Sequence, residues 1–184
     1  MRRSFILLYL SISSILFVYA QNIGVKTNLL YDATTTMNLG VEFALSPKVT
    51  VDFSGNYNPW SFGDNKKLKH WMIQPEVRYW LCEKFNGHFF GFHAHGGEFN
   101  MGGIKLLGME KYRYEGYAVG GGVSYGYQWI LGNRWSIEAS LGLGYTYLDR
   151  DKFYCEKCGE KLGEDTKHFV GPTKAAISLI YIIK

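Results

Sequence analysis

The fold class that the sequence predicts is all-β: an eight-stranded antiparallel up-and-down transmembrane β-barrel. Three observations predict it. Eight runs alternate apolar and polar residues with a period of two, which only an extended chain can use. The connections between them alternate in length, short on one side and long on the other, as in outer-membrane barrels. Lastly, one face of the alternation carries large rings and aliphatic chains, while the other carries glycine, serine and ionisable groups.

The runs follow in order. Ile23 to Tyr31 sets Ile23, Val25, Leu29 and Tyr31 against Lys26 and Asn28. Met37 to Leu45 opposes Met37, Leu39, Val41, Phe43 and Leu45 to Asn38, Gly40 and Glu42. Val49 to Tyr57 sets Val49, Val51, Phe53 and Tyr57 against Thr50, Asp52, Ser54 and Asn56. His70 to Leu81 opposes Trp71, Ile73, Val77, Tyr79 and Leu81 to His70, Gln74, Glu76 and Arg78.

In the fifth run, His88 to Met101, Phe90, Phe92 and Ala94 face away from His93 and His95. After Gly96-Gly97 the phase changes: Phe99 and Met101 are apolar, Glu98 and Asn100 polar. A glycine β-bulge at that point would keep one consistent outer face and turn Glu98 inward. The sixth run, residues 116–130, has Tyr117, Val119, Val123, Tyr125, Tyr127 and Trp129 on one side and four glycines on the other. Trp135 to Tyr147 opposes Trp135, Ile137, Leu141, Leu143, Tyr145 and Tyr147 to Ser136, Glu138, Ser140, Gly142 and Gly144. Thr173 to Ile183 sets Ala175, Ile177, Leu179, Tyr181 and Ile183 against Lys174 and Ser178.

Short turns follow runs two, four and six, at Ser46-Pro47-Lys48, Cys82 to Gly87 and Gly132-Asn133. Long loops are expected at Asn58 to Lys69, Gly102 to about Glu115, and Leu148 to about Pro172. The first connection, Asp32 to Thr36, is short where the pattern would have it long.

Period alone does not say which face is inside; size does. A secreted lipocalin-like barrel, the alternative, keeps its apolar face inward around a ligand. Eight strands enclose only enough room for side chains to fill. Trp71, Tyr79, Tyr125, Tyr127, Trp129, Trp135, Tyr145 and Tyr147 together would overfill it. Turned outward they meet lipid, and the bare glycines at 116, 120, 122, 126, 142 and 144 leave lumen space for groups from facing strands. Lone buried charges are costly, so the inward ones should pair. The expected lumen network is Lys26, Arg78 and Lys174 with Glu42, Asp52, Glu76, Glu98 and Glu138, joined by His93 and His95.

At 184 residues the chain reads as one domain behind a leader. Arg2 and Arg3, an apolar run from Phe5 to Val18 and the small-x-small site Val18-Tyr19-Ala20 make residues 1–20 a secretory signal peptide, cleaved near Ala20. The run is too short and too rich in serine for a membrane span. The formal charge of +4, less Arg2 and Arg3, is modest and evenly mixed, which argues against a nucleic-acid partner. The mature barrel domain, residues 21–184, is expected in the outer membrane of a Gram-negative bacterium.

The segments KTNLLYDATTTMNLGVEF, DFSGNYNPW, QPEVRYWL and VGPTKAAISLIYIIK together resemble a domain-of-unknown-function family of small outer-membrane β-barrel proteins. The resemblance spans the mature chain and implies a barrel broadly of the OmpA and OmpX type. It also implies a link to fimbrial or other surface-assembly functions, and it carries no catalytic residue. One departure from common outer-membrane barrels is Lys184 at the end, where an aromatic often stands.

Local chemistry is sparse. Cys155 and Cys158 form a CxxC whose first reading, in an oxidising compartment, is a disulfide closing a tight turn. The second is half a zinc site, with His168 as a third ligand and no second CxxC to complete it. Redox catalysis lacks the βαβ context it needs. Cys82 belongs to the opposite end and reads as a free thiol. His93 and His95, one pleat apart, could serve a lipid-acting enzyme, but such chemistry needs a serine nucleophile at the rim, and Ser124 and Ser140 sit at interior depth. The expectation is therefore a non-enzymatic barrel with a plugged lumen and no cofactor, presenting surface loops to outer-membrane lipid, lipopolysaccharide or a surface or fimbrial protein.

Overall fold

A strand with alternating side chains cannot slip by one residue without turning its apolar face inside out, so register carries this fold. The computed structural model describes residues 23–61, 67–104, 109–154 and 160–183. The expected signal peptide, Cys155 and Cys158 lie outside the described residues. The strands are β1 (Ile23–Asn28), β2 (Met37–Ala44), β3 (Val49–Asn58), β4 (Lys67–Trp80), β5 (Gly87–Ile104), β6 (Met109–Ile130), β7 (Trp135–Tyr154) and β8 (Lys161–Ile183), with a short helix α1 (Leu29–Ala33) between β1 and β2. Each strand pairs antiparallel with the next, and β1 closes on β8 from Ile23↔Ile183 to Asn28↔Ser178. The result is the expected eight-stranded barrel. Its apolar face points outward: Leu39, Phe53, Ile73, Val77, Phe92, Val123 and Leu141 are all exposed, while Glu42, Asp52, Glu76, Arg78 and Glu138 are buried.

Four details differ from the expectation. First, the run from Ile23 does not continue extended to Tyr31. Asn28 caps α1, its Oδ1 accepting from Leu30 N at 3.1 Å, and also accepts from Ile177 N at 3.2 Å. Asp32 then clamps the turn by accepting from Thr27 Oγ1 at 2.9 Å and Asn38 Nδ2 at 2.7 Å. Tyr31 thereby leaves the outer wall and sits half-buried at the barrel mouth, where burial raises the pKa of its phenol.

Second, no bulge interrupts β5 at Gly96-Gly97. Its register with β4 is one series from Trp80↔Phe89 through Ile73↔Gly96 and Trp71↔Glu98 to Lys67↔Gly102. The bulge falls later, between Gly102 and Ile104, at Gly103 with its left-handed φ of 73°. Parity is therefore kept through the glycines, so Glu98 faces outward and Phe99 and Met101 face the lumen side.

Third, much of what reads as long loops is strand. β5 to β8 run 18, 22, 20 and 23 residues, well beyond the ~9–11 that a tilted span needs, whereas β1 has 6 and β2 has 8. One side of the barrel thus stands much taller than the other. Cross-strand pairs hold the upper part of β7 and β8 together. Arg150 lies opposite Asp165 and donates to its Oδ2 at 2.6 Å, and Lys161 Nζ lies 3.0 Å from Asp151.

Fourth, the glycines serve two purposes. Gly142 makes room for His93, whose Cε1 would lie 2.8 Å from an added Cβ, and Gly126 makes room for the Phe89 ring. At Gly116, Gly122 and Gly144, by contrast, an added Cβ would strike the carbonyl of the neighbouring strand, Asp149, Leu143 and Gly121 respectively. There it is the backbones, rather than facing side chains, that need the space.

Candidate functional site

The lumen is built in three layers along the barrel axis. The end bearing the short turns is closed by aromatics. Trp80 packs against Phe89 in a tilted pair with ring centroids 4.8 Å apart and meets Phe85 at 6.1 Å, while Ala44, Ile180 and Ile182 complete a buried apolar floor. Phe85 holds a left-handed φ of 62° in the β4–β5 turn, unusual for a bulky residue. Burial of its ring beneath the barrel offsets that strain, and Lys84 N fixes the turn by donating to Pro47 O at 2.8 Å. Inward-facing Phe89 and Phe85 escape a reading based on alternation, because one starts a strand among outward rings and the other lies in a turn.

Above the floor sits the ionic layer. Arg78 stands 4.5 Å above the Phe89 ring and is nearly inaccessible. It donates through Nε to Glu76 at 2.6 Å, through Nη1 to Glu42 at 2.8 Å, and through Nη1 and Nη2 to Glu138 at 2.7 and 3.1 Å. Lys26 bonds Glu42 at 2.5 Å and lies 3.3 Å from Asp52, and Lys174 reaches Glu76 at 2.6 Å. Thr50 donates to Glu42, Ser124 to Glu76, and Trp80 Nε1 to Thr50 at 2.9 Å. Seven of the ten residues expected in the network thus converge, with four carboxylates facing three cations. Such a cluster persists because Glu42, Glu76, Glu138, Arg78 and Lys26 each meet more than one partner; removing one would strand the others.

His93 and His95 also face inward; His93 lies opposite Glu76 in the register, but the bonds of both rings run to threonines. Their rings are stacked 6.0 Å apart, and each is tied to a threonine: His93 Nε2 to Thr173 at 2.8 Å, His95 Nε2 to Thr146 at 2.9 Å. Glu98 is the expectation the structure overturns. It is exposed on the outer wall, where its Oε2 accepts from Trp71 Nε1 at 3.0 Å, because the unbroken β5 register puts it on the same face as Phe92.

The third layer is the outer half of the lumen, and its character changes again. Leu68 and Met72 of β4, Phe99 and Met101 of β5, Tyr114 and Ala118 of β6 and Leu148 of β7 surround a cavity of about 480 Å³, with His95 also in its lining. Tyr31 and Thr34 close the low side, and Arg150 stands at the rim over the Tyr114 ring at 4.5 Å. An alternation reading misses this cup because it follows from the phase of β5 after Gly97, which two glycines leave open.

The remaining candidates are dispersed. Cys82 is an exposed free thiol in the β4–β5 turn. His168 lies on the outer wall opposite Tyr147, with Nδ1 bonded to the Tyr145 hydroxyl at 2.5 Å. It stands seven residues from Lys161, where the described hairpin closes, or roughly 23 Å at ~3.3 Å per strand residue. Cys155 and Cys158, its expected partners in a zinc site, lie outside the described residues. Among the described residues, no three His, Cys, Asp or Glu side chains gather as a metal site.

Comparison with curated proteins finds no match, and neither does comparison with solved structures. A family model described as "Protein of unknown function (DUF3575)" matches residues 6–183, nearly the whole chain. With its eight-stranded barrel, the chain therefore belongs to that family of unknown function.

Proposed function

We propose that this protein is a non-enzymatic outer-membrane β-barrel: a sealed spool that carries the tall β5–β8 wall outside the cell for a surface or fimbria-associated partner. The observation that carries the reading is the outer face. Tyr79, Tyr125, Trp129, Trp135 and Tyr181 lie toward the short-turn end, and Tyr57, Trp71, Tyr117, Tyr145 and Tyr147 toward the other. Between them lies an aliphatic and phenylalanine band that includes Ile73, Val77, Phe92, Val123, Leu141 and Leu143. Trp71 and Tyr79 are eight residues apart, ~26 Å along the strand and ~20 Å along the axis at a typical barrel tilt. Trp135 and Tyr147, twelve apart, give ~30 Å on the same basis. These bracket the ~25 Å apolar band of outer-membrane barrels. In water such a face would be an unusually large exposed apolar surface.

The ionic layer over an aromatic floor argues for a closed lumen, not a conducting pore. Short turns and chain ends belong on the periplasmic side, which sends the upper β7–β8 hairpin outward. Its Lys152, Lys161 and Lys167, mixed with acids, suit contact with lipopolysaccharide phosphates at the rim and a protein partner beyond it.

A photo-crosslinking residue at Tyr154 tests the reading in cells that fractionate the protein with the outer membrane. Adducts are expected from Tyr154 and not from the same probe at Arg134 in a periplasmic turn. Recovery in the soluble periplasmic fraction, or adducts only at Arg134, would refute it.

A further inference from the structure

The ionic layer explains how the lower lumen is filled, but nothing in it requires the upper lumen to be apolar. Water-facing positions inside an open barrel end are ordinarily polar, because exposed apolar side chains gain nothing there. Here Phe99, Met101, Leu148, Leu68 and Met72 converge on one space. At about 480 Å³ it falls within the range of small-molecule sites, which are mostly apolar with a few placed polar groups.

The lining also carries His70, Glu98 and Arg150, but among its described residues His95 is the one with a buried side-chain atom that lacks a partner. His95 is only 7% exposed. Its Nε2 is held by Thr146 Oγ1 at 2.9 Å, while its Nδ1 is buried with no protein partner. A buried polar atom left unpaired is costly, and a ligand group that bonds it recovers that cost.

We propose that the cup is a binding site for a small, uncharged amphipathic molecule, with an apolar body against Phe99, Met101 and Leu148 and a hydroxyl head bonded to His95 Nδ1. The head is a hydroxyl for two reasons. If Nε2 donates to Thr146, Nδ1 accepts; if Thr146 donates, Nδ1 carries the proton; a hydroxyl satisfies either case. A carboxylate head would bring a further negative charge toward a layer where Glu42, Asp52, Glu76 and Glu138 already outnumber Lys26, Arg78 and Lys174. The ligand enters from the aqueous side, past Tyr31, Thr34 and Arg150 at the rim. The inference rests on the lumen geometry and does not depend on what covers the barrel's outer face.

The probe is 2-naphthol, titrated into histidine-¹⁵N-labelled protein in lipid nanodiscs, or in plain buffer if the barrel proves soluble. Empty discs correct for partitioning. The His95 imidazole resonance, assigned by its loss in His95→Phe, should shift saturably, with those of His88 and His168 unmoved. His95→Phe should weaken 2-naphthol roughly fivefold, as loss of one hydrogen bond predicts, while leaving naphthalene affinity unchanged. Met101→Trp, which fills the cup, should abolish binding of both without lowering the unfolding temperature. 2-Naphthoate should bind at least tenfold more weakly than 2-naphthol. No saturable shift would overturn the proposal. So would equal loss of naphthalene and naphthol affinity in His95→Phe. Competition by dioleoylglycerol doped into the disc would overturn the aqueous route.

Discussion

Arg78 grips Glu138 across sixty residues of sequence with two parallel bonds, Nη1 to Oε2 at 2.7 Å and Nη2 to Oε1 at 3.1 Å. Fork-on-carboxylate pairing of this kind fixes orientation as well as charge. It ties β4 to β7 through the lumen, although neither strand neighbours the other in the sheet.

Arg78→Met should therefore leave four carboxylates around two lysines and cost about 3–5 kcal/mol, the usual loss when one partner of a buried pair is removed. Glu138→Gln leaves three acids and three bases and should cost clearly less. Urea titration of the folded protein in lipid, followed by tyrosine and tryptophan fluorescence, ranks the two. The reverse order would mean that the ionic layer is not organised around Arg78.

In the proposed sealed barrel, the aromatic floor and the ionic layer would each block the lumen. Phe85→Ala should cost about 3–5 kcal/mol as a large-to-small change, with no relief of the left-handed backbone because alanine keeps the Cβ that strains it. Planar-bilayer recordings should nonetheless stay silent, because the layer above it remains. Steady ion current through Phe85→Ala would show that the floor alone seals the barrel.

Gly122 and Gly96 face opposite ways and should respond oppositely to a methyl group. An added Cβ at Gly122 meets the Leu143 carbonyl, whereas at Gly96 it meets nothing within 4 Å. Gly122→Ala should lower the folded fraction on a heat-shift gel, and Gly96→Ala should be neutral or slightly stabilising through the unfolded chain.

Upper β7 and β8 are held by exposed ion pairs such as Arg150–Asp165, whose carboxylate is half exposed, and each is worth under ~1 kcal/mol. Amide exchange in residues 160–168 should be much faster than in residues 119–127 and should quicken in high salt, which screens those pairs. Exchange that ignores salt would assign the hairpin's order to its aromatic contacts instead.

The parts legible in the sequence are those where the period of two has only one phase. Glu42, Glu76, Arg78 and Glu138 each sit in an unbroken run, and their convergence follows once eight strands close. Legibility fails where local chemistry offers two phases. Gly96-Gly97 permits a bulge or a straight strand, and only pairing with Met72 and Ile73 decides. That choice moves Glu98 from lumen to outer wall and creates the cup. The upper hairpin was hidden for another reason: its strands are held by pairs such as Arg150–Asp165 rather than by apolar alternation. Similarly, the Asn28 cap that ends β1 early works through backbone bonds to Leu30 and Ile177, and the latter comes from a strand 149 residues away.

The central claim is that the outer band meets acyl chains. A spin label at Phe92→Cys, with the three native cysteines replaced by serine, tests it most directly in reconstituted membranes. The account predicts relaxation by oxygen, which concentrates in lipid, and protection from a water-soluble nickel chelate. A label at Phe92 as open to nickel as one in the turn at Arg134 would contradict it.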